Sequence, residues 1–165
     1  QKGLTEEGFD PKSILPVVDK PATIADSLEP IAEDDESWDT YTYLAEKEAR
    51  DIAAGKGFRR AILTPESTSV PVIVRNYAKI QSTGAFLAHP TKPGYMRLFT
   101  EIEHGRFKGL PEGFVESLGV SRTVAHQVLG QSVIYPVFKA VGAALGRFIN
   151  QVQEQSPQPK LSLVA

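Results

Sequence analysis

The side chains best suited to contact a polyanion are concentrated in one short stretch of the chain. Residues 75–84 combine guanidinium, amide, phenol, ammonium and hydroxyl groups, which are the groups that reach phosphates and base edges in protein–nucleic acid complexes. The residues predicted to make such contacts are Arg75, Asn76, Tyr77, Lys79, Gln81, Ser82 and Thr83. The alternative interpretation is an ordinary polar surface loop.

The charge distribution favours the same part of the chain. The formal net charge is only −2, but residues 1–51 hold 5 basic and 14 acidic side chains, whereas residues 56–108 hold 9 basic and 3 acidic ones. This asymmetry predicts that the middle of the chain faces a polyanion and that the acidic segment does not. Uneven scatter of charge over a small domain is the alternative.

Several kinds of catalytic chemistry are not supported by the residues. The sequence contains no cysteine, which excludes disulfides, thiolate metal sites and a thiol nucleophile within this chain. His89, His104 and His126 do not have the spacing of a metal-ligand cluster, and no Ser-His-Asp arrangement is indicated. Glu101 and Glu103 fall within a helix-capping pattern and are not predicted to be an acid pair. We therefore predict no catalytic residue and no metal ligand.

The first half of the chain predicts an irregular lead-in, one helix and two strands. Recurrent prolines and acidic residues mark residues 1–37 as irregular, with a short helix at 23–28. A helix over 43–54, with Thr42 as its cap, has an apolar stripe formed by Ala45, Ala49, Ile52 and Ala53. Strands are predicted over 58–63 and 70–74, joined by a turn at 65–69, and Pro71 makes the second an edge or bulged strand.

The second half is predicted to be helical. Thr100 and Glu103 form a capping box, and Gly109 and Pro111 end the helix that it begins. Ser121 caps a second helix, with Val124, Ala125, Val128 and Leu129 as its apolar face and Gly130 as its end. A longer apolar helix is predicted over 133–149, and the polar tail, 151–165, is expected to fray.

Two blocks of sequence resemble a known family. Residues 97–114 are similar to the pattern Arg-x-Leu-Thr-x-x-Glu-x-x-Arg-Leu-Gln-Gly-Phe-Pro-Asp-x-Phe, and residues 130–133 match Gly-Asn-Ser-Val apart from Gln131. The first block matches at Arg97, Thr100, Glu103, Arg106, Gly109, Pro111 and Phe114, with conservative changes at Phe107, Leu110 and Glu112. These are the last two conserved blocks of DNA (cytosine-5) methyltransferases, and the chain resembles the carboxyl-terminal portion of that family. The matched residues expected to have structural roles are Arg97, Thr100, Glu103, Arg106, Gly109, Pro111 and Gly130, with both arginines projecting from a compact unit.

The resemblance implies an α+β fold in a defined order. An irregular acidic lead-in (1–37) would precede a small strand-rich target-recognition region (38–96) and a motif region of short capped helices and one longer helix (97–150), followed by the frayed tail (151–165). In the family, the last helix packs on a Rossmann-like α/β methyltransferase domain whose motifs lie earlier in the chain. The cofactor turn, the Pro-Cys nucleophile and the Glu-Asn-Val block are absent from these 165 residues.

The resemblance also implies a reaction, a cofactor and partners. The family transfers a methyl group from S-adenosyl-L-methionine to C5 of cytosine in double-stranded DNA, often within restriction-modification systems in the cytoplasm of bacteria or in phage. Gln131, Ser132 and Val133 correspond to the block that touches the cofactor, and a hydroxyl with free N–H groups at a helix N-terminus would suit its carboxylate. The other partner implied is a catalytic domain or subunit, and no membrane partner is expected.

Three interpretations remain open from the sequence. The chain is a carboxyl-terminal methyltransferase fragment, a separate subunit that completes a split enzyme, or a non-catalytic DNA-binding or interaction module. The irregular, uncapped beginning of the chain favours the first. In every case the isolated chain is expected to be inactive, because the thiolate nucleophile of the reaction is missing.

Overall fold

The computed structural model describes residues 21–57 and 59–155. The described residues divide into two compact units, one containing residues 21–57 and 59–134 and the other containing residues 135–155. In the described part of the second unit a single helix, α5 (Tyr135–Gln155), is present. All other described elements belong to the first unit.

A three-stranded mixed sheet forms the centre of the first unit. Its order is β1 (Ala61–Leu63), β2 (Ala85–Ala88) and β3 (Met96–Arg97). β1 and β2 are parallel, with Ala61 opposite Ala85, whereas β2 and β3 are antiparallel, with Leu87 opposite Arg97. β2 reads Ala-Phe-Leu-Ala and its first three residues are buried, as expected for a central strand covered on both faces.

Four helices belong to the same unit. They are α1 (Thr42–Ala53), α2 (Glu101–Phe107), α3 (Phe114–Ser117) and α4 (Arg122–Gln131). The larger core cluster is formed by the sheet and the segments beside it, with Phe86 and Phe99 fully buried, and a smaller cluster joins Val115, Ala125 and Leu129. The mixed helix and sheet composition confirms the predicted α+β class.

The capping predictions for the later helices are confirmed, and the prediction for α1 is wrong. The Thr100 hydroxyl accepts from Glu103 N while the Glu103 carboxylate accepts from Thr100 N, a complete capping box. Ser121 caps α4 by accepting from Val124 N. At α1, Thr42 is already helical and the cap position is held by Tyr41 in a left-handed conformation, φ 43°.

The predicted apolar faces of α1 and α4 also need correction. Ala45, Ala49, Ile52 and Ala53 are exposed, and α1 is anchored in the core through Leu44 alone. In α4 the buried residues are Ala125, His126 and Leu129, whereas Val124 and Val128 are 40% and 50% exposed. The inward face of α4 therefore includes a histidine that hydrophobic periodicity does not select.

The predicted strand over 70–74 is not present. Val70 and Ile73 pack on the core while Val72 and Val74 remain exposed, so burial follows a spacing of three residues and not the alternation of a strand. Pro71 has no N–H to contribute to a ladder. Of the strand predicted over 58–63, residues 61–63 form β1 and Phe58 lies outside the described residues.

Other element boundaries differ from the predictions by small amounts. The helix predicted at 23–28 is a 3-10 turn at Ala25–Ser27. α4 continues through Gly130 to Gln131, and the long helix begins at Tyr135 and extends through residues 151–155 of the predicted frayed tail. Residues 156–165 and 1–20 lie outside the described residues.

Residues 21–41 share the core of the first unit, although the sequence predicts a separate lead-in over 1–37. Ile24 is buried and its amide donates to Ser67 O at 2.9 Å. Asp39 forms an isolated antiparallel bridge with Met96 of β3. The division predicted at 37/38 therefore separates residues that pack together.

Within the described ranges, no single helix is long and apolar enough to cross a membrane. α4 and α5 are long and apolar enough only when the two helices are counted together as one span interrupted by a break.

Candidate nucleic-acid interface

The segment predicted to contact nucleic acid forms a series of tight turns. Tyr77 N donates to Val74 O at 3.0 Å, Lys79 N donates to Asn76 O at 2.9 Å, and Gly84 N donates to Gln81 O at 3.0 Å. The turns leave five of the predicted side chains exposed, namely Arg75, Asn76, Lys79, Gln81 and Thr83. The structure thus brings together a guanidinium, an ammonium, two amides and a hydroxyl on one surface segment.

Two of the predicted contact residues are buried, which corrects the prediction for their side chains. Tyr77 is 4% exposed, and its hydroxyl donates to Ala85 O at 2.6 Å and accepts from Phe99 N at 2.9 Å. Burial raises the pKa of the Tyr77 phenol, so it stays protonated. Ser82 is 9% exposed and accepts from Lys47 Nζ at 2.6 Å. Both side chains hold the segment to the protein.

A small recess of about 110 Å³ adjoins the exposed residues. Its apolar lining comes from Val72, Val74 and Leu98, and its polar lining includes Lys79 and Gln81. The recess therefore offers both apolar and hydrogen-bonding groups beside the turns.

Gly130 lies against the backbone at the start of these turns. A β carbon at position 130 would lie 2.3 Å from Arg75 N and 2.6 Å from Val74 C, closer than non-bonded atoms can approach. The sequence predicts that Gly130 ends α4, but its role is to let α4 pack directly on residues 74–75. The glycine of the second sequence block thus contacts the segment predicted to bind nucleic acid.

The first sequence block is organised by a buried ion pair. Arg97 is 1% exposed and does not project to solvent as predicted. Its two terminal nitrogens donate to both carboxylate oxygens of Glu103, at 2.6 and 2.8 Å, and its guanidinium lies 5.2 Å from the centre of the Trp38 ring. A planar bidentate pair of this kind is specific for arginine.

The Glu103 carboxylate has no unused hydrogen-bonding capacity. Each oxygen accepts one bond from Arg97 and one from a backbone amide, Glu29 N on one side and Thr100 N on the other, both at 2.9 Å. The Glu29 carboxylate in turn accepts from the Thr100 hydroxyl. A buried carboxylate is stable when all its acceptor sites are filled, so this block is a structural centre.

The remaining residues of the first block shape the end of α2. Gly109 follows the helix with φ 69°, in the left-handed region as predicted, and Pro111 O accepts from Phe114 N at the start of α3. Arg106 is half-buried, pairs with Glu112 at 3.0 Å and reaches Leu28 O at 3.5 Å. None of these residues presents a reactive group.

A pair of buried histidines has no counterpart among the sequence predictions. His104 of α2 and His126 of α4 are 1% and 0% exposed, and their Nδ1 atoms lie 3.2 Å apart. The Tyr77 ring packs edge-on against both. Burial, reinforced by His126 and Lys108, lowers the pKa of His104 to about 3. Burial and Arg122 lower the pKa of His126 to about 4, although Glu101 opposes the shift.

These histidines do not form part of a larger ligand set. Their Nε2 atoms have no hydrogen-bond partner among the described residues, and no group of three or more His, Asp or Glu side chains in residues 21–57 and 59–155 could hold a metal ion. His89 is also buried, and its Nε2 lies 2.8 Å from Glu33 O. Because His89 Nδ1 accepts from the amides of Thr91 and Lys92, Nε2 carries the proton.

The residues predicted to touch a cofactor lie at the end of α4. Ser132 is its C-cap residue, and both its amide and its hydroxyl donate to Leu129 O, at 3.1 and 2.8 Å. Ser132 therefore does not offer the free donors at a helix N-terminus that the prediction assumed. Gln131 and Val133 are exposed, and the Gln131 side-chain amide makes no hydrogen bond with the described residues.

Comparisons with known proteins find similarity to methyltransferases. No family model matches the chain. The type II methyltransferase M.MspI of Moraxella sp is 35% identical over 98 residues, covering 58% of this chain and 22% of that protein. M.BsuFI of Bacillus subtilis is 40% identical over 79 residues, covering 46% of this chain and 18% of that protein. M.NlaX of Neisseria lactamica is 28% identical over 121 residues, covering 73% and 36%.

Two solved structures share the fold. The S. pombe Dnmt2 methyltransferase aligns with a TM-score of 0.61 and 21% identity, over 78% of this chain and 42% of that one. The Entamoeba histolytica methyltransferase EhMeth aligns with a TM-score of 0.54 and 20% identity, over 76% and 42%. The chain thus spans between 18% and 36% of the length of the three curated relatives. The matches confirm the resemblance to methyltransferases predicted from the two sequence blocks.

Proposed function

We propose that this chain, a relative of the type II methyltransferases, is the carboxyl-terminal target-recognition portion of a DNA cytosine-5 methyltransferase. The whole enzyme would transfer a methyl group from S-adenosyl-L-methionine to C5 of cytosine in specific duplex DNA, in the cytoplasm of a bacterium or phage-infected cell. Resemblance to relatives that are named as type II methyltransferases supports the reaction class. The enzyme's cytosine specificity rests on the two sequence blocks.

The observation that carries the proposal is the contact between the two blocks and the polar turns. The first block forms the buried Arg97–Glu103 pair, whose neighbour Phe99 donates its amide to the Tyr77 hydroxyl. The second block places Gly130 on the Arg75 backbone. Both blocks therefore contact residues 74–79 on the side that faces the protein core, as expected if their purpose is to present a recognition surface.

The recognition surface would combine phosphate contacts with readout of base edges. Arg75 and Lys79 supply the charges that dominate affinity for a duplex. Asn76, Gln81 and Thr83 supply donors and acceptors, and the apolar lining of the adjacent recess offers contacts to thymine or cytosine ring carbons. Tyr77 and Ser82 do not take part directly, because they are buried.

A catalytic domain or subunit is the second partner that we propose. The α5 side chains Phe138, Leu145, Phe148 and Ile149 are between 44% and 56% exposed, and an apolar surface of this kind is typical of an interface. The cofactor would bind mainly to that partner. Of the three residues predicted to touch the cofactor, the exposed Gln131 keeps its side-chain amide available, whereas the donors of Ser132 are used within α4.

The proposal is tested by salt-dependent DNA binding of the 165-residue chain. Fluorescence anisotropy with a labelled duplex should show weak binding that falls steeply with salt. The R75A/K79A variant should lower the slope of log K against log [salt] by about 1.8, since each phosphate that is no longer neutralised lowers it by about 0.9. The double variant K56A/K92A removes the same charge elsewhere in the basic region and should leave the slope unchanged. Equal slopes for the unaltered chain and both double variants would show that residues 75–79 are not part of the interface.

A second experiment tests the reaction in the source cells. Antibodies against this chain should recover a protein or complex that transfers labelled methyl groups to duplex DNA and yields 5-methylcytosine on nucleoside mass spectrometry. A recovered polypeptide with a Pro-Cys peptide preceding this sequence would identify a single-chain enzyme. A separate subunit carrying that peptide would identify a split enzyme. Recovery of the chain without methyl transfer would identify it as a non-catalytic DNA-binding module.

A further inference from the structure

Tyr77 occupies an unusual position among the exposed residues of the candidate interface. Its neighbours Asn76 and Lys79 are at the surface, whereas its own side chain is 4% exposed and lies in the larger core cluster. Tyr77 belongs to two overlapping turns that begin at Val74 and Asn76, and each is closed by a backbone hydrogen bond. The Tyr77 side chain is therefore the internal anchor of the segment that carries Arg75 and Lys79.

The Tyr77 hydroxyl links the turns to β2 and to the segment between β3 and α2. It donates to Ala85 O at the start of β2 and accepts from Phe99 N, which lies between β3 and the capping box of α2. Its ring packs edge-on against the His104 and His126 rings. Because each of these groups is buried, loss of the hydroxyl would leave a carbonyl and an amide without partners, and the turns could relax away from the sheet.

A second contact restrains the other end of the same segment. The α4 backbone at Gly130 touches residues 74–75 so closely that no β carbon could be accommodated. The backbone that carries Arg75 and Lys79 is thus held at two places. The Tyr77 side chain holds it at residue 77, and the α4 backbone at Gly130 holds it at residues 74–75. A surface segment fixed in this way loses little conformational entropy on binding, which increases affinity without any additional contact.

From these contacts we propose that Tyr77 is a positioning residue for DNA recognition. It touches no DNA, and its hydroxyl holds the turns in the arrangement in which Arg75 and Lys79 engage phosphates together. The proposal rests on the proposed function of residues 75–79 as a DNA interface. It goes beyond that function in assigning the control of affinity to a buried hydroxyl.

The test is a double-mutant cycle measured on the 165-residue chain by fluorescence anisotropy with duplex DNA. Tyr77→Phe removes only the hydroxyl, and we expect it to weaken binding about five- to tenfold. In the R75A/K79A background the same change should have less than about a twofold effect, because Tyr77 acts through those two residues. Tyr41→Phe is the matched control, since Tyr41 lies in the same core cluster and is expected to leave affinity unchanged.

Each result of the cycle has a distinct meaning. An equal loss in both backgrounds would show that Tyr77 acts independently of Arg75 and Lys79, and no loss in either would show that the hydroxyl has no role, so both would overturn the inference. If R75A/K79A alone left binding unchanged, the proposed interface itself would fail. Circular dichroism must show that every variant is folded at the temperature of the titration.

A measurement on the unaltered chain covers the case in which Tyr77→Phe does not fold. Amide hydrogen exchange should show Tyr77, Lys79 and Phe99 N–H groups already protected in the free protein, with little added protection on binding DNA. Strong protection that arises only with DNA would mean that the turns order on binding, and would overturn the inference.

Discussion

The Nδ1 atoms of His104 and His126 lie 3.2 Å apart between two buried, stacked imidazoles. One Nδ1 must carry a proton and the other must accept it, so the two rings adopt different tautomers. Protonation of both would place two N–H groups face to face in an apolar setting. The pair therefore joins α2 to α4 only while at least one ring is neutral.

This geometry predicts a pH dependence of stability. Because burial places the pKa of His104 at about 3 and that of His126 at about 4, the unfolded chain binds more protons than the folded chain below pH about 6.5. The two histidines make their full contribution to the free energy of unfolding above that pH. The contribution is lost as the pH falls toward 4 and 3, at up to about 1.4 kcal/mol per pH unit for each ring. Side-chain NMR should show neither ring titrating between pH 5 and 8, whereas both titrate in urea. A folded-state titration near pH 6.5 would contradict the prediction.

The buried Arg97–Glu103 pair predicts a large difference between two neighbouring substitutions. Glu103→Gln leaves a buried guanidinium without its counter-charge and should lower the free energy of unfolding by about 3–5 kcal/mol. Glu101→Gln removes the same charge from the same helical turn, but its partner Arg122 is 3.8 Å away and half exposed, so the cost should be below about 1 kcal/mol. Urea unfolding followed by the fluorescence of Trp38, the single tryptophan, compares them. Equal costs would mean that the pair is not central to the fold.

Gly130 predicts opposite effects of alanine at two helical glycines. Gly130→Ala forces a β carbon against Arg75 N, so we expect a loss of about 1–3 kcal/mol of stability and weaker DNA binding as α4 shifts. Gly142→Ala in α5 meets open space and should be neutral or stabilising by up to about 1 kcal/mol, since alanine favours helix. Thermal unfolding of both variants tests the prediction. A stable Gly130→Ala protein with unchanged amide shifts at residues 74–75 would refute it.

The isolated 165-residue chain should show no methyl transfer. The reaction of the resembled family adds a thiolate to C6 of cytosine, and this sequence has no cysteine. Purified chain, labelled S-adenosyl-L-methionine and duplex DNA should give no incorporation, with M.MspI as the positive control. Turnover by the chain alone would mean that the nucleophile of the reaction is a different group.

The capping signals of α2 and α4 predict the structure correctly, whereas the contacts between residues distant in sequence are not predicted. The Thr100–Glu103 capping box and the Ser121 cap depend on residues three apart, and the structure contains both. The His104–His126 pair joins residues 22 positions apart, and nothing in either local pattern indicates the other. Arg97 is expected at the surface because isolated arginines usually are, but its burial depends on Trp38 and on Glu103.

The same distinction explains the misassigned strand and interface residues. The β-rich composition of residues 70–74 suggests a strand, yet Val70 and Ile73 pack into the core in an irregular segment beside Gly130. Tyr77 and Ser82 have the polar groups of a contact residue, but those groups bond to Ala85, Phe99 and Lys47. Composition identifies the segment, and only the tertiary contacts separate its exposed residues from its anchors.

The bond from Glu29 N to the Glu103 carboxylate has a practical consequence for exchanging parts of this chain with those of its relatives. A chimera joined at residue 38 would combine the capping box of one protein with the residues 21–37 of another. The amide that Glu29 donates to the buried Glu103 carboxylate would then come from a different sequence, and the bond could be lost. The transferable module begins before Ile24, whose amide is also bonded within the first unit. Grafts that carry residues 21–134 together should retain their fold, whereas grafts that begin later should lose it.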